Sequence, residues 1–283
     1  MSMSIPAYRQ IKRLPGWLAW TDYTMLAELV GYQNEFTNAA IVEIGVHFGK
    51  SLIALAGFSG ERALYAIDIF DDQSHNIDQS GYGSLNGFRT NLRRFGVRED
   101  RVVIDQRLST EVKPRDILDR VGKVGLFHID GGHHYDAVVA DIDLAVATCS
   151  DDAIIVMDDV FRPEWPEVSE AVFRHPALRD HDYVAFAIGF NKTYFCKRAH
   201  LARYQHRLRS HAALDRHLSK THRIDDRTLL VYQKYPLPEW PLWRFANWAL
   251  KLWVPGLYGV IAPVSQALKP TLKRLSAWTP FRM

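Results

Sequence analysis

Residues 42–51 read V-E-I-G-V-H-F-G-K-S, a short strand running into a glycine turn and then a helix. The apolar run Ala39-Ala40-Ile41-Val42 is brief and partly β-branched, as suits a strand buried on both faces. Gly45 and Gly49 remove Cβ atoms where the backbone must turn sharply and pass close to a ligand or to the sheet. Ser51 to Ala56, S-L-I-A-L-A, continues as the first turns of a helix. The rest of the chain repeats this strand-turn-helix unit.

Three motifs compete for the turn. A phosphate-binding P-loop needs four residues between its first glycine and its Gly-Lys-Ser, and only Val46, His47 and Phe48 separate Gly45 from Gly49-Lys50-Ser51. The dinucleotide fingerprint G-x-G-x-x-G fails because position 47 is histidine. The acidic-strand form E-x-G-x-x-x-G fits: a carboxylate at the strand end and a glycine turn receive S-adenosylmethionine. Glu43, Gly45, Gly49 and Ser51 are therefore the candidate cofactor contacts of the turn. A second apolar strand, A-L-Y-A-I-D, ends at Asp68. A carboxylate about 20 residues past such a turn is placed to accept from both hydroxyls of a ribose.

A chain of 283 residues with 47% hydrophobic content can hold one large α/β domain and an appendage. The formal charge of +3 is too small to point to nucleic acid, and no RNA-binding signature accompanies it. Cys149 and Cys196 lack zinc-ligand spacing and are too few for a disulfide framework, which favours a reduced, cytoplasmic setting. The N-terminus lacks the apolar core of a secretory signal, and no run of about 18 apolar residues marks a transmembrane helix.

Along the chain, residues 1–38 read as a helical cover, with Thr21 or Asp22 as N-cap of a helix ending near Gly31. Residues 39–199 hold the strand-helix repeats. A polar, glycine-containing interruption at 70–87 is long for an internal loop and reads as a lid or a surface insertion. A helix is expected from Leu85 to Phe95, then strands at 101–105, 124–130 and 153–158. Ser109 either caps a helix through Leu118 or lies on the adenine side of the cofactor. Two alternating runs, 183–188 and 192–197, joined through Gly189-Phe190-Asn191, read as a closing antiparallel hairpin. The expected architecture is an α/β, doubly wound, Rossmann-like sheet of seven mostly parallel strands with an antiparallel edge.

In open α/β sheets ligands bind at the carboxyl ends of the strands. Asp130-Gly131-Gly132-His133-His134-Tyr135-Asp136 leaves the fourth strand and Asp158-Asp159 the fifth, so three carboxylates and two histidines share one rim. Carboxylates that close repel unless a cation or proton neutralises them. A divalent ion held by Asp130, Asp158 and Asp159 is the economical expectation; oxygen ligands favour Mg²⁺, Mn²⁺ or Ca²⁺ over zinc, and the adjacent His133 and His134 leave zinc or iron as a lesser alternative. His133 is the first candidate for a general base, with His134 and Asp136 as alternatives because both also suit a helix start. His128, in mid-strand, reads as a satisfied core histidine.

The segments V-E-I-G-V-H-F-G-K-S, the strand ending at Asp68, F-H-I-D-G-G-H-H-Y-D and V-M-D-D-V together resemble the class I S-adenosylmethionine-dependent methyltransferases, and more narrowly the macrocin O-methyltransferase-like sugar O-methyltransferases. The resemblance implies that Glu43, Gly45 and Asp68 bind S-adenosylmethionine, that Asp130, Asp158 and Asp159 bind Mg²⁺, and that a group just after Asp130 is the base. Where such enzymes commonly carry D-G-D-H-x-Y, Gly132 replaces the second aspartate here, which moves the base to His133. The implied acceptor is a hydroxyl of a sugar, glycan or glycosylated small molecule. The rival readings are an NAD(P)-dependent oxidoreductase on the same fold and a non-catalytic membrane-associated adaptor.

Residues 200–223 form a basic, histidine-rich stretch expected to be helical, and 227–235 an added strand. From Trp240 onward lie five of the eight tryptophans, together with Arg244, Lys251, Lys269, Lys273, Arg274 and Arg282. That composition suits either a membrane-surface contact through residues 240–283, on the inner face, or packing on protein, including a homo-oligomer contact.

Overall fold

The computed structural model describes residues 6–224 and 226–233. Nine strands form one sheet: β1 (Ala40–Ile44), β2 (Leu64–Ile67), β3 (Val102–Asp105), β4 (Val124–Ile129), β5 (Cys149–Met157), β6 (Tyr183–Ile188), β7 (Thr193–Lys197), β8 (Leu218–Ile224) and β9 (Arg227–Tyr232). Their spatial order is β3-β2-β1-β4-β5-β7-β6-β9-β8. The pairs among β1 to β5 are parallel, β7 runs antiparallel to β5 and β6, and β9 lies parallel to β6 with β8 antiparallel to it.

The helices are α1 (Tyr8–Ile11), α2 (Trp20–Gln33), α3 (Lys50–Phe58), α4 (Leu85–Arg94), α5 (Pro114–Val121), α6 (Tyr135–Thr148), α7 (Pro166–Arg174), α8 (Ala177–Asp180), α9 (Leu201–Ser210) and α10 (Ala212–Asp215). Alternation along each strand sends its side chains to two cores. Ile41, Leu126 and Ile154 pack with Leu26 and Leu29 of α2, Leu52 and Leu55 of α3 and Leu208 of α9. Val42, Phe127 and Ile155 pack with Ile117 of α5, Ile142 of α6 and Val168 of α7. All five residues of β1 are buried, which is why its sequence, Glu43 apart, is apolar without alternation.

The structure has the expected doubly wound α/β form, and differs from the expectation in its details. It has nine strands rather than seven, and the sheet continues to Tyr232. The basic stretch is helical only to Asp215, and Leu218–Ile224 is an edge strand whose exposed Lys220, His222 and Arg223 oppose pairing with another chain. Helix α4 begins behind Ser84, whose hydroxyl accepts from the Gly87 N–H. The residues 109–111 form a 3₁₀ turn, and α5 starts at Pro114 instead of Ser109. The N-cap of α2 is Ala19, so neither Thr21 nor Asp22 caps it; Asp22 is buried inside the fold. The aromatic segment 240–283 lies outside the described residues. Among the described residues no helix is long and apolar enough to cross a membrane.

Candidate functional site

The glycine turn after β1 is held by backbone proximity. Gly45 has φ +83°, and a Cβ there would collide with the Asp130 carbonyl leaving β4. A Cβ on Gly49, at φ +85°, would lie 2.6 Å from the Phe88 ring of α4. Both glycines thus answer to neighbouring protein atoms, with His47 between them also at positive φ. Glu43 is 0% exposed; Ser51 Oγ donates to its Oε1, and burial pushes its carboxyl up to about 8. Ser51 is buried beside it.

Asp68 lies at the end of β2, where its Oδ2 accepts from the His47 N–H at 2.6 Å and its Oδ1 from the Phe70 N–H. Each oxygen keeps a further lone pair, so Asp68 fits the ribose role. The 70–87 insertion folds over this point: Gly83 packs against Asp68 and the His47 backbone, and Gly81 against the His47 ring. From the other side Lys50 Nζ donates to the Gly16 carbonyl, and the Trp17 ring lies 5.9 Å from that of His47. Ser109 lies beside Asp141 of α6, a fully buried carboxyl that burial pushes up to about 7 and that sits behind Gly131.

The acidic rim is built by β4, β5 and the β6–β7 turn. Single ligand atoms of His128, Asp130 and Asp158 lie within 4.8 Å of one another. Their space is filled by Lys192, 2% exposed, whose Nζ bonds Asp158 Oδ2, lies 2.9 Å from His128 Nε2 and stands 3.6 Å from Asp130 Oδ2. Burial alone would favour the neutral amine, but Asp158, Asp130 and Asp22 outweigh it and hold the Lys192 pKa above its usual range. Burial and the neighbouring Asp158 push the Asp130 carboxyl well above the carboxylate range. Burial and Lys192 hold His128 neutral. Its other nitrogen lies 3.4 Å from Glu43 Oε1, so a row of polar groups runs beneath the strand ends from Ser51 through Glu43 and His128 to Lys192.

Asp159 turns away from that cluster. It adopts φ +58°, sparsely populated for a non-glycine residue. Its Oδ2 meets His133 Nε2 at 3.1 Å and its Oδ1 accepts from Asn191 Nδ2 at 2.8 Å. The other nitrogen of His133 lies 2.7 Å from Asp78 Oδ2, which also accepts the His133 backbone N–H at 3.0 Å. Trp165 stacks on the imidazole, with centroids 4.1 Å apart and planes 10° apart. Burial pulls the His133 pKa down, and the hydrogen bonds to Asp159 and Asp78 more than offset it, to about 9. The structure thus places His133 between Asp78 and Asp159. His134 occupies the N-cap of α6 with its Nε2 buried and unpartnered, and Asp136 is exposed in the first turn.

Four residues of the rim were not found from sequence. Asp78 sits in the insertion that reads as a lid or a surface loop, and Asn191 and Lys192 in a stretch that reads only as a hairpin joint. Asp22 of α2 accepts from the Asn191 N–H and the Tyr194 hydroxyl, and burial pushes its carboxyl up to about 7. The one local signal was the Asn-Lys pair in a turn beside two acidic strand ends.

A family profile described as a methyltransferase domain matches residues 42–160. No curated protein matches the sequence significantly. Among solved structures, the O-methyltransferase NovP superposes with a TM-score of 0.52 at 16% identity, over 62% of this chain and 80% of its own. CalS11, a TDP-rhamnose 3'-O-methyltransferase of calicheamicin biosynthesis, gives a TM-score of 0.47 at 20% identity over 68% and 87%. An O-methyltransferase from Bacillus cereus gives 0.48 at 18% over 66% and 84%. At 16% identity the likeness to NovP speaks for the fold alone. The acidic strand end before a glycine turn and the carboxylate at the end of β2 both fall inside the profile match, so residues 42–160 carry a methyltransferase domain of the S-adenosylmethionine-dependent kind.

Proposed function

We propose that this methyltransferase acts on a hydroxyl oxygen of a sugar, glycan or glycosylated small molecule, with His133 as general base. The observation that carries the reading is the Asp78–His133–Asp159 row beside Asp130. Asp78 accepts from Nδ1–H and fixes the tautomer whose lone pair is on Nε2, while Trp165 holds the ring plane. An acceptor hydroxyl entering the cleft takes the place of Asp159 at Nε2. The hydroxyl proton passes to Nε2 as the oxygen attacks in line. S-adenosylmethionine, when bound, supplies the methyl group on a sulfonium, which leaves as a thioether. Asp68 supports ribose binding, and Gly45 keeps the turn close to the Asp130 backbone. Exposed Phe161, which follows β5, offers an aromatic face at the rim, as binding clefts for partly apolar ligands do.

The divalent ion expected at Asp130, Asp158 and Asp159 does not fit the residues as arranged. Lys192 Nζ fills the space between the first two, and Asp159 is committed to His133 and Asn191. No step above is routed through a metal.

The test is transfer of labelled methyl from S-adenosylmethionine to a panel of sugar nucleotides, glycosides and amines, after calorimetric titration with S-adenosylmethionine and NADH. The reading expects S-adenosylmethionine binding and O-methylated product, reduced about 10²-fold or more in His133→Gln. Product only on nitrogen, or NADH binding alone, overturns it. For the setting we infer a cytoplasmic enzyme peripheral to the inner membrane face, on the composition of residues 240–283. Sedimentation of the full chain with anionic vesicles tests that inference, and light scattering showing self-association without vesicle binding replaces it with a homo-oligomer.

A further inference from the structure

We propose that the Lys192 ammonium is the resident cation of the acidic rim, standing where a divalent ion would sit, so that the rim excludes metal and the enzyme works without one. Its catalytic consequence rests on the methyltransferase reading above; the exclusion of metal does not.

The three groups that approach Lys192 Nζ are His128 Nε2, Asp130 Oδ2 and Asp158 Oδ2. They belong to the one set among the described residues with the spacing of a metal site. An ion within that set would lie about 2–2.6 Å from each ligand atom, on the ground the ammonium nitrogen occupies. The ammonium hydrogen-bonds His128 Nε2 and Asp158 Oδ2 and stands in ion-pair range of Asp130 Oδ2, so all three groups already have a cation beside them. Asp159, the third carboxylate of the rim, turns instead to His133 and Asn191, so the ammonium is the cation that Asp130 and Asp158 share.

The lysine is not free to swing aside. It is buried to 2%, and its backbone carbonyl accepts from the Gly189 N–H at 2.7 Å, closing the β6–β7 turn. Asp22 braces that turn through the Asn191 N–H at 3.3 Å and packs so tightly on Gly189 that a Cβ there would collide with it. Asn191 donates its side-chain amide to both Asp158 and Asp159. The turn therefore delivers a fixed positive charge and a fixed amide donor to two adjacent carboxylates, the work a metal does elsewhere in polar clusters of this kind.

The experiment is titration of the full-length chain with Mn²⁺, read by the free-ion electron paramagnetic resonance signal, in wild type, Lys192→Ala and Lys192→Ala/Asp158→Asn. Wild type is expected to show no site tighter than about 1 mM, and Lys192→Ala a site in the micromolar range that the added Asp158→Asn abolishes. A micromolar wild-type site lost in Asp158→Asn overturns the proposal, and so does a folded Lys192→Ala that gains no affinity. If the alanine variant fails to fold, Lys192→Gln, which keeps a donor and drops the charge, takes its place under the same criteria. S-adenosylmethionine titration with a chelator present separates the two readings: absence of binding sinks the methyltransferase assignment while leaving the Mn²⁺ result intact.

Discussion

The glycine turn after β1 and the acidic rim after β4 and β5 sit at the same edge of the sheet and solve crowding by opposite means. At the turn the close approaches are between uncharged atoms: Gly45 against the Asp130 carbonyl, Gly49 against Phe88. What such a turn demands is the absence of side chains. At the rim the crowded groups are ionisable, and Asp130, Asp158 and Asp159 are each matched by a partner from a distant element: Lys192, Asn191 and His133. What the rim demands is complementarity, and one missing partner leaves a buried charge exposed to its like.

The comparison breaks most readily at Lys192. Lys192→Met keeps the stem and removes the ammonium, leaving the Asp158 carboxylate buried without its cation, and should cost about 3–5 kcal/mol in urea denaturation. Adding Asp158→Asn should recover a large part of that loss, because the uncompensated charge goes with it. If the double variant is as unstable as the single one, Lys192 acts by packing and the contrast between the two regions fails.

Gly45→Ala probes the other side, and should cost roughly 3 kcal/mol, since overpacking adds to a positive φ. Gly60 supplies the control: it has φ +60° with nothing within 4 Å of its Cβ position. Gly60→Ala should cost only about 1 kcal/mol, the conformational share alone. Equal losses at the two positions would mean that φ, and not the approach to Asp130, is what Gly45 provides.

The two regions also differ in how far they can be read from the chain. The turn is local: Glu43, Gly45, Gly49 and Ser51 fall within nine residues, and the motif shows itself as spacing. Even there the spacing gives the turn without its reason, because the atoms that forbid a Cβ come from Asp130 and Phe88. The parallel strands were legible because burial on both faces leaves a continuous apolar run, as in β1 and β4. The rim was half legible. Its acids stand at strand ends, where topology alone puts them together, but their partners are placed by tertiary register. Asp78 reaches His133 across 55 positions, and Lys192 reaches His128 across 64. Likewise Asp22 reads as a helix cap by position and is claimed instead by the hairpin turn it braces. The edge strand β8 was missed because its exposed, basic residues carry no apolar alternation.

His133 sharpens the contrast through chemistry, since the proposed mechanism makes it the rim residue whose charge changes during turnover. His133→Gln should lower methyl transfer by about 10²- to 10³-fold while leaving S-adenosylmethionine affinity at the glycine turn within roughly a factor of 3. A comparable loss of cofactor affinity would show that the two regions are not independent.

The pH dependence is the smallest and most specific effect. A base must be unprotonated, and His133, held between Asp78 and Asp159, has its pKa raised to about 9 from an ordinary 6.5. In kcat/KM, which reports the free enzyme, transfer should therefore rise with pH up to about 9. Asp78→Asn removes one of the two carboxylates that hold the proton, so the limb should move toward lower pH even as the maximal rate falls with the lost orientation of the ring. The same shift has a stability face of opposite sense. A histidine whose folded pKa lies above its unfolded value contributes stability that is full below pH 6.5 and lost as pH passes through about 9. The destabilisation caused by His133→Gln should accordingly be largest in mild acid and fade in alkali, just where the wild-type rate is highest. A limb that stays near pH 6.5 in wild type and Asp78→Asn alike would detach His133 from its two carboxylates.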